Sequence, residues 1–246
     1  MSIAGRKIAI TGAGRGLGAA LAIGAADLGA QPILLGRSAG ALEEVAGAIA
    51  ARNGRRPDAV ICDLADLGSV RQAAETLATM HPDLDGLVNN GSQWAGGAFE
   101  TMEDRQIEGV VASTVTGTIA LTRQLLPLLR ARPRADIHTV VSMSGLPYAR
   151  LRGSSLPFRA AKAAQDGFVQ GLTEELAASD IRVTATYPGL IEDVSPLDKE
   201  WERPRGPLDM LCNRNVVEAI LYVLSAPDNV AIRSLVIERA KTDFLA

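Results

Sequence analysis

The string Thr11-Gly12-Ala13-Gly14-Arg15-Gly16-Leu17-Gly18 narrows most sharply what this chain can become. An apolar run, residues 7–11, leads into it, and an alanine-rich helical pattern, residues 17–28, leads out. Glycines between a strand and a helix permit a tight turn and let backbone approach a ligand closely. The first N–H groups of the helix then face the turn, and a pyrophosphate suits that cradle. A glycine string alone is weak, but between a strand and a helix it is specific.

The alternation continues along the chain. Further strands are predicted at residues 31–35, 58–62, 86–89, 137–142, 182–187 and 234–237, and further helices at 39–53, 67–80, 102–130, 155–178 and 215–224. Most strand runs are apolar throughout, as strands buried on both faces must be. The pattern predicts βαβ units. The expected fold is α/β, a single Rossmann-type doubly wound domain over residues 1–246, with a seven-stranded parallel sheet flanked by helices. A 246-residue chain with 47% hydrophobic content can fill one such domain. Residues 192–210, rich in proline and charge and containing Trp201, are long for a connection. They are expected to form a substrate lid, with Trp201 either covering an apolar substrate or simply packing.

Composition removes several classes of function. A net charge of −3 marks neither nucleic acid nor an anionic membrane as a partner. No apolar run reaches the ~18 residues of a membrane span. The first residues run into a strand with no secretory cleavage pattern, so a cytoplasmic protein is expected. Cys62 and Cys212 read as reduced thiols. With His81 and His138 they have no metal-site spacing, so no metal is expected and both histidines read as structural.

The T-G-x-x-x-G-x-G spacing resembles the short-chain dehydrogenase/reductase family, and other landmarks agree in order along essentially the whole chain. Asp63-Leu64 resembles the family's adenine-contacting pair, and Asn89-Asn90-Gly91-Ser92 its N-N-A-G motif with the last two residues altered. Pro188-Gly189, after Tyr187, resembles the turn that lines the nicotinamide pocket. The resemblance implies a cofactor site built from Gly12, Gly14, Arg15, Gly16, Leu17, Gly18, Arg37, Asp63, Leu64, Asn89, Lys162, Pro188 and Gly189. The choice of cofactor also has a physical reading. An NAD site commonly ends its second strand in a carboxylate that bonds the ribose 2′-hydroxyl. Here Gly36 and Arg37 stand there, and a guanidinium pairs with a 2′-phosphate instead. Arg15 is a second candidate cation, so NADP(H) is expected.

In the family an asparagine, a serine, a tyrosine and a lysine cooperate. Lys162 matches the lysine of the Y-x-x-x-K helix, and Phe158 stands at the tyrosine position. Thr114 stands at the asparagine position, three residues before Gly117. For the serine, Val141-Ser142-Met143-Ser144-Gly145 points to Ser142 by motif, whereas the spacing to Phe158 suits Ser144. A phenyl ring cannot donate a proton, and loss of a positioned general acid typically costs ~10²–10⁴ in rate. Three accounts of Phe158 stay open: an introduced Tyr→Phe change, a divergent enzyme with another donor (Ser142, Tyr148, Tyr187 or water beside Lys162), or a non-catalytic NADP(H)-binding regulatory or scaffold protein. Residues 217–238 are similar to family members that oxidise 3-hydroxy acids. Asp193 stands where the family often has a threonine near the cofactor. The expected partner is a small carbonyl or alcohol substrate. Family members usually form dimers or tetramers through their fourth and fifth helices, here residues 109–129 and 160–176 and rich in small residues on one side, so the resemblance implies a homodimer or homotetramer.

Overall fold

A computed structural model describes residues 2–149 and 155–241. Seven strands form one parallel sheet: β1 (Lys7–Thr11), β2 (Gln31–Gly36), β3 (Ala59–Ile61), β4 (Gly86–Asn89), β5 (Ala135–Val140), β6 (Ile181–Pro188) and β9 (Ser234–Ile237). Their spatial order is β3-β2-β1-β4-β5-β6-β9. The order reverses between β1 and β4, where parallel pairing matches Ile8 with Gly86 and Ile10 with Val88. At such a reversal the loops leaving the two strands diverge to opposite faces and open a crevice at the carboxyl edge.

Each face of the sheet carries helices, because the strands are apolar on both sides. One layer holds α1 (Gly16–Asp27), α2 (Ala39–Asn53) and α7 (Asn213–Leu224). Leu21, Leu42, Ile49, Val216 and Ile220 join Ile8, Ile10 and Leu34 in its core. The other layer holds α3 (Leu67–Met80), α5 (Gly117–Arg130) and α6 (Leu156–Glu175). Val70, Leu77, Leu121, Leu125 and Val169 pack there against Ile33, Leu87 and Ile137. Ser38 caps α2 and Asp66 caps α3 through their side-chain oxygens. A short α4 (Asp104–Val111) lies against α6.

The predicted fold class holds, with several boundaries moved. The expected helix over residues 102–130 is not continuous. A π turn, Ala112–Thr116, divides α4 from α5. The cause lies at Gly117, where a Cβ would stand 1.9 Å from the Leu64 carbonyl oxygen. That approach puts α5 against the loop after β3, and the helix takes an extra residue in its turn to reach it. The strand expected at 137–142 is instead Ala135–Val140, because the Ser142 hydroxyl caps the turn Met143–Gly145. The helix expected over 155–178 ends at Glu175, where Leu176 turns into the core. A small parallel ladder joins β7 (Ile191–Glu192) to β8 (Leu211–Cys212) and closes the neck of the 192–210 segment.

Candidate active site

The glycine turn opens directly from β1. Gly12 and Gly16 hold φ of +68° and +57°, a region that an L side chain seldom adopts. A Cβ on Gly18 would meet the Gly12 carbonyl oxygen at 2.2 Å, so helix and turn lie in backbone contact. No side chain caps the start of α1, which leaves its first N–H groups for an anion. The turn touches the end of β2: Ala13 N–H donates to the Leu35 carbonyl at 3.0 Å. Arg15 and Arg37 project from these adjoining segments, exposed and without a hydrogen bond or ion pair among the described residues. Leu17 is half-buried against the α1–α7 layer.

The loop after β4 locks onto that turn. Asn90 donates its backbone N–H to Thr11 Oγ1 at 2.9 Å and its side-chain Nδ2 to the Thr11 carbonyl at 2.9 Å. Gly91 N–H donates to the same hydroxyl at 2.8 Å. Asn89 points the other way, buried, with Nδ2 donating to Thr122 Oγ1 at 3.0 Å on α5. The Leu64 side chain packs over Gly91, and Asp63 turns its carboxylate back to the N–H of Ala65 at 2.9 Å. Asn90 was not singled out by sequence reasoning, although the second residue of an Asn-Asn pair facing the opposite way along a strand exit is the available signal.

Lys162 lies nearly two turns into α6 and is 3% exposed. Its ammonium donates to the Val140 carbonyl at 2.8 Å and to Gln165 Oε1 at 2.9 Å. Gln165 passes the contact on, donating Nε2 to the Thr114 carbonyl at 3.0 Å. Thr114 lies within the π turn. There Gly117 N–H makes the wide i→i+5 bond to the Ala112 carbonyl. Thus Thr114 connects to Lys162 through its backbone oxygen, while its hydroxyl pairs with Ser92 at 2.7 Å. Burial without a carboxylate pushes the lysine down to about 7. Gln165 carried no motif, so its role emerges only in three dimensions.

The Phe158 ring centroid lies 5.5 Å from the Lys162 ammonium. The ring packs on a small apolar group of Ala95, Val110 and Ala161, with Met102 and Val115 beside it. Ser142, half-buried at the end of β5, accepts from Ser144 N–H at 3.1 Å and from Ser144 Oγ at 2.9 Å. Ser144 is the more buried of the two, at 4% exposed, and supports Ser142 from behind. Pro188 and Gly189 close this side, with the Pro188 carbonyl 3.5 Å from Ser142 Oγ.

Two tyrosines considered as proton donors stand differently. Tyr187 is buried in the core and donates its hydroxyl to Asp166 at 2.7 Å, and burial pushes its pKa well above the usual phenol value. Its proton is committed to Asp166. Tyr148 is 57% exposed. Trp201 packs on the α1–α7 layer, as do Leu17 and Ile191. His138 bridges Thr184 and Thr186 inside the sheet, held well down at about 4 by burial. Cys62 and Cys212 are both buried, and burial pushes the Cys62 thiol up to about 12.

The profile of the short chain dehydrogenase family matches residues 6–205. This chain belongs to that family. Among curated relatives, an uncharacterized oxidoreductase of Staphylococcus saprophyticus is 27% identical over 94% of this short-chain dehydrogenase and 96% of its own length. A short-chain type dehydrogenase/reductase of Mycobacterium marinum superposes with a TM-score of 0.84 at 26% identity, covering 98% of this chain and 97% of the other. A short chain dehydrogenase of Escherichia coli, solved in complex with NADPH, gives 0.81 at 25% identity over 96% and 98% of the two chains. The activity class of this short-chain dehydrogenase is therefore oxidoreduction. No described helix is long and apolar enough to cross a membrane.

Proposed function

We propose that this protein is an NADP(H)-dependent oxidoreductase that interconverts an alcohol and a carbonyl, with Lys162 holding the proton that a phenol would otherwise supply. The observation that carries the reading is the buried ammonium of Lys162, poised near neutral pH between Val140, Gln165 and Phe158. A proton donor works best when its pKa lies near the operating pH. Tyr187 is spent on Asp166, whereas the Lys162 ammonium lies 5.5 Å from the Phe158 ring centroid.

The residues present fit the dinucleotide. The turn from Gly12 to Gly18 and the uncapped start of α1 suit a pyrophosphate. Asp63 and Leu64 would border the adenine, and Arg15 and Arg37 would hold a 2′-phosphate, since Gly36 brings no carboxylate there. Lys162, Asn89, Pro188 and Gly189 belong to the nicotinamide half, Asn89 through its backbone because its side chain faces Thr122. When bound, the nicotinamide supplies or accepts the hydride. Ser142 orients the substrate oxygen, with Ser144 fixing its rotamer. Thr114 serves through its carbonyl, which anchors Gln165. Residues 192–210, clasped by β7 and β8, form the lid. A homodimer or homotetramer through α5 and α6 belongs to the same reading, and the mass in solution tests it. The site of action is the cytoplasm.

A second reading rests on Phe158 itself: without a hydroxyl there, the chain binds NADP(H) and regulates a partner. The two readings part in one experiment, NADPH oxidation by the protein and by Phe158→Tyr over a panel of ketones, aldehydes and 3-oxo acids. Turnover by the unaltered protein, with Phe158→Tyr faster by ~10² or more, supports the enzyme. Turnover only in the tyrosine variant supports the binder. Turnover that survives Lys162→Met unchanged removes Lys162 as the proton source.

A further inference from the structure

The glycine turn that would receive a pyrophosphate already has a carboxylate against it. Asp193 lies so close to Gly16 that a Cβ on that glycine would stand 3.5 Å from Asp193 Oδ2 and 3.7 Å from Oδ1. The contact is fixed from behind. Asn213, at the start of α7 and 2% exposed, donates Nδ2 to Asp193 Oδ1 at 2.5 Å and to the Val194 carbonyl at 3.3 Å. Asp193 directly follows β7, whose ladder with β8 ties the strand end in place. Arg205, on the same segment, pairs with Glu192. Among the described residues no ion pair includes Asp193. Its charge therefore faces the start of α1, where the helix dipole favours an anion and no other acidic side chain stands in the first turn.

We propose that Asp193 is an internal anion for the glycine turn, which the pyrophosphate of a dinucleotide must displace. The inference rests on the cofactor reading above and adds a determinant of affinity to it. Two anions cannot share one helix start without strong repulsion. Binding then requires the Asp193–Asn213 contact to loosen and the clasped segment to shift from Gly16. Cofactor affinity in this chain is held below what its cradle alone would give, and the lid carries the restraint.

The test measures dissociation constants by calorimetry for the unaltered protein, Asp193→Asn and Asp193→Thr. The probes are NADPH and adenosine 2′-monophosphate, which keeps the 2′-phosphate but lacks the pyrophosphate. Both variants are expected to bind NADPH about tenfold tighter, with a gain that shrinks at high salt, and to bind adenosine 2′-monophosphate as the unaltered protein does. Asparagine keeps a polar partner for Asn213, and thermal melts report whether each variant is folded. Equal or weaker NADPH binding in the variants would overturn the inference and leave the cofactor reading intact. An equal gain for both probes would reduce Asp193 to a matter of net charge and overturn it too. If neither probe binds any of the three proteins, the cofactor reading fails and this inference falls with it.

Discussion

Lys162 carries a positive charge into a site where no described residue offers it a carboxylate. Its neighbours are a carbonyl, an amide and a phenyl ring. Burial holds its pKa near 7, against 10.5 in an unfolded chain. Between these values the unfolded state binds the extra proton, so stability rises with pH across that window and is lost as pH falls toward 7. From pH 7.5 to 9.5 the rise attributable to this lysine is expected to be roughly 2 kcal/mol. Urea midpoints at the two pH values, for the protein and Lys162→Met, measure it. A slope that is unchanged in the variant would refute the assignment. The identities of Phe158 and Lys162 were legible in the sequence from their spacing. The lysine's partners were not: Gln165 bears no motif and meets Thr114 from a different helix.

At the scale of the element, the π turn between α4 and α5 organises the site more than any single side chain. It lets Gly117 rest on the Leu64 carbonyl and carries Thr114, whose carbonyl accepts from Gln165. Gly117→Ala puts a methyl group into backbone that has nowhere to move, and is expected to cost about 3 kcal/mol. Gly167→Ala is the matched contrast. It sits inside α6 with open space around it, so alanine is expected to stabilise by ~1 kcal/mol through helix propensity. Chemical denaturation of both variants checks the pair, and a loss in both would mean that helix continuity, not contact, decides. Periodicity predicted one helix over residues 102–130, because both halves are helical and no proline or turn signal separates them. The π turn answers to a contact with a distant loop.

Across the whole molecule, the candidate site and the buried ion pairs occupy opposite edges of the sheet. At the amino edge Asp136, 1% exposed, accepts from Arg6 and from Arg182 Nε, the latter at 2.6 Å. Arg182 also donates to the carbonyls of Leu224, Ala226 and Val230, tying the end of α7 to β6. Asp136→Ala leaves buried guanidinium groups without their counter-charge and is expected to cost roughly 3–5 kcal/mol. NADPH affinity should be untouched, because the crevice lies at the other edge. A melting experiment and a binding isotherm on the one variant test both halves of that statement.

The sequence by itself determined the parallel sheet, the glycine turn and the Phe158–Lys162 spacing, and left Ser142 and Ser144 as alternatives, because these depend on local periodicity and on short spacings. Tertiary structure alone decided which polar atoms meet. Asn90 rather than Asn89 faces the glycine turn, Tyr187 gives its proton to Asp166, Gln165 joins Lys162 to the π turn, and Asp193 lies on Gly16. Each of those contacts joins segments far apart in the chain, and their geometry follows from how two helical layers pack across one twisted sheet.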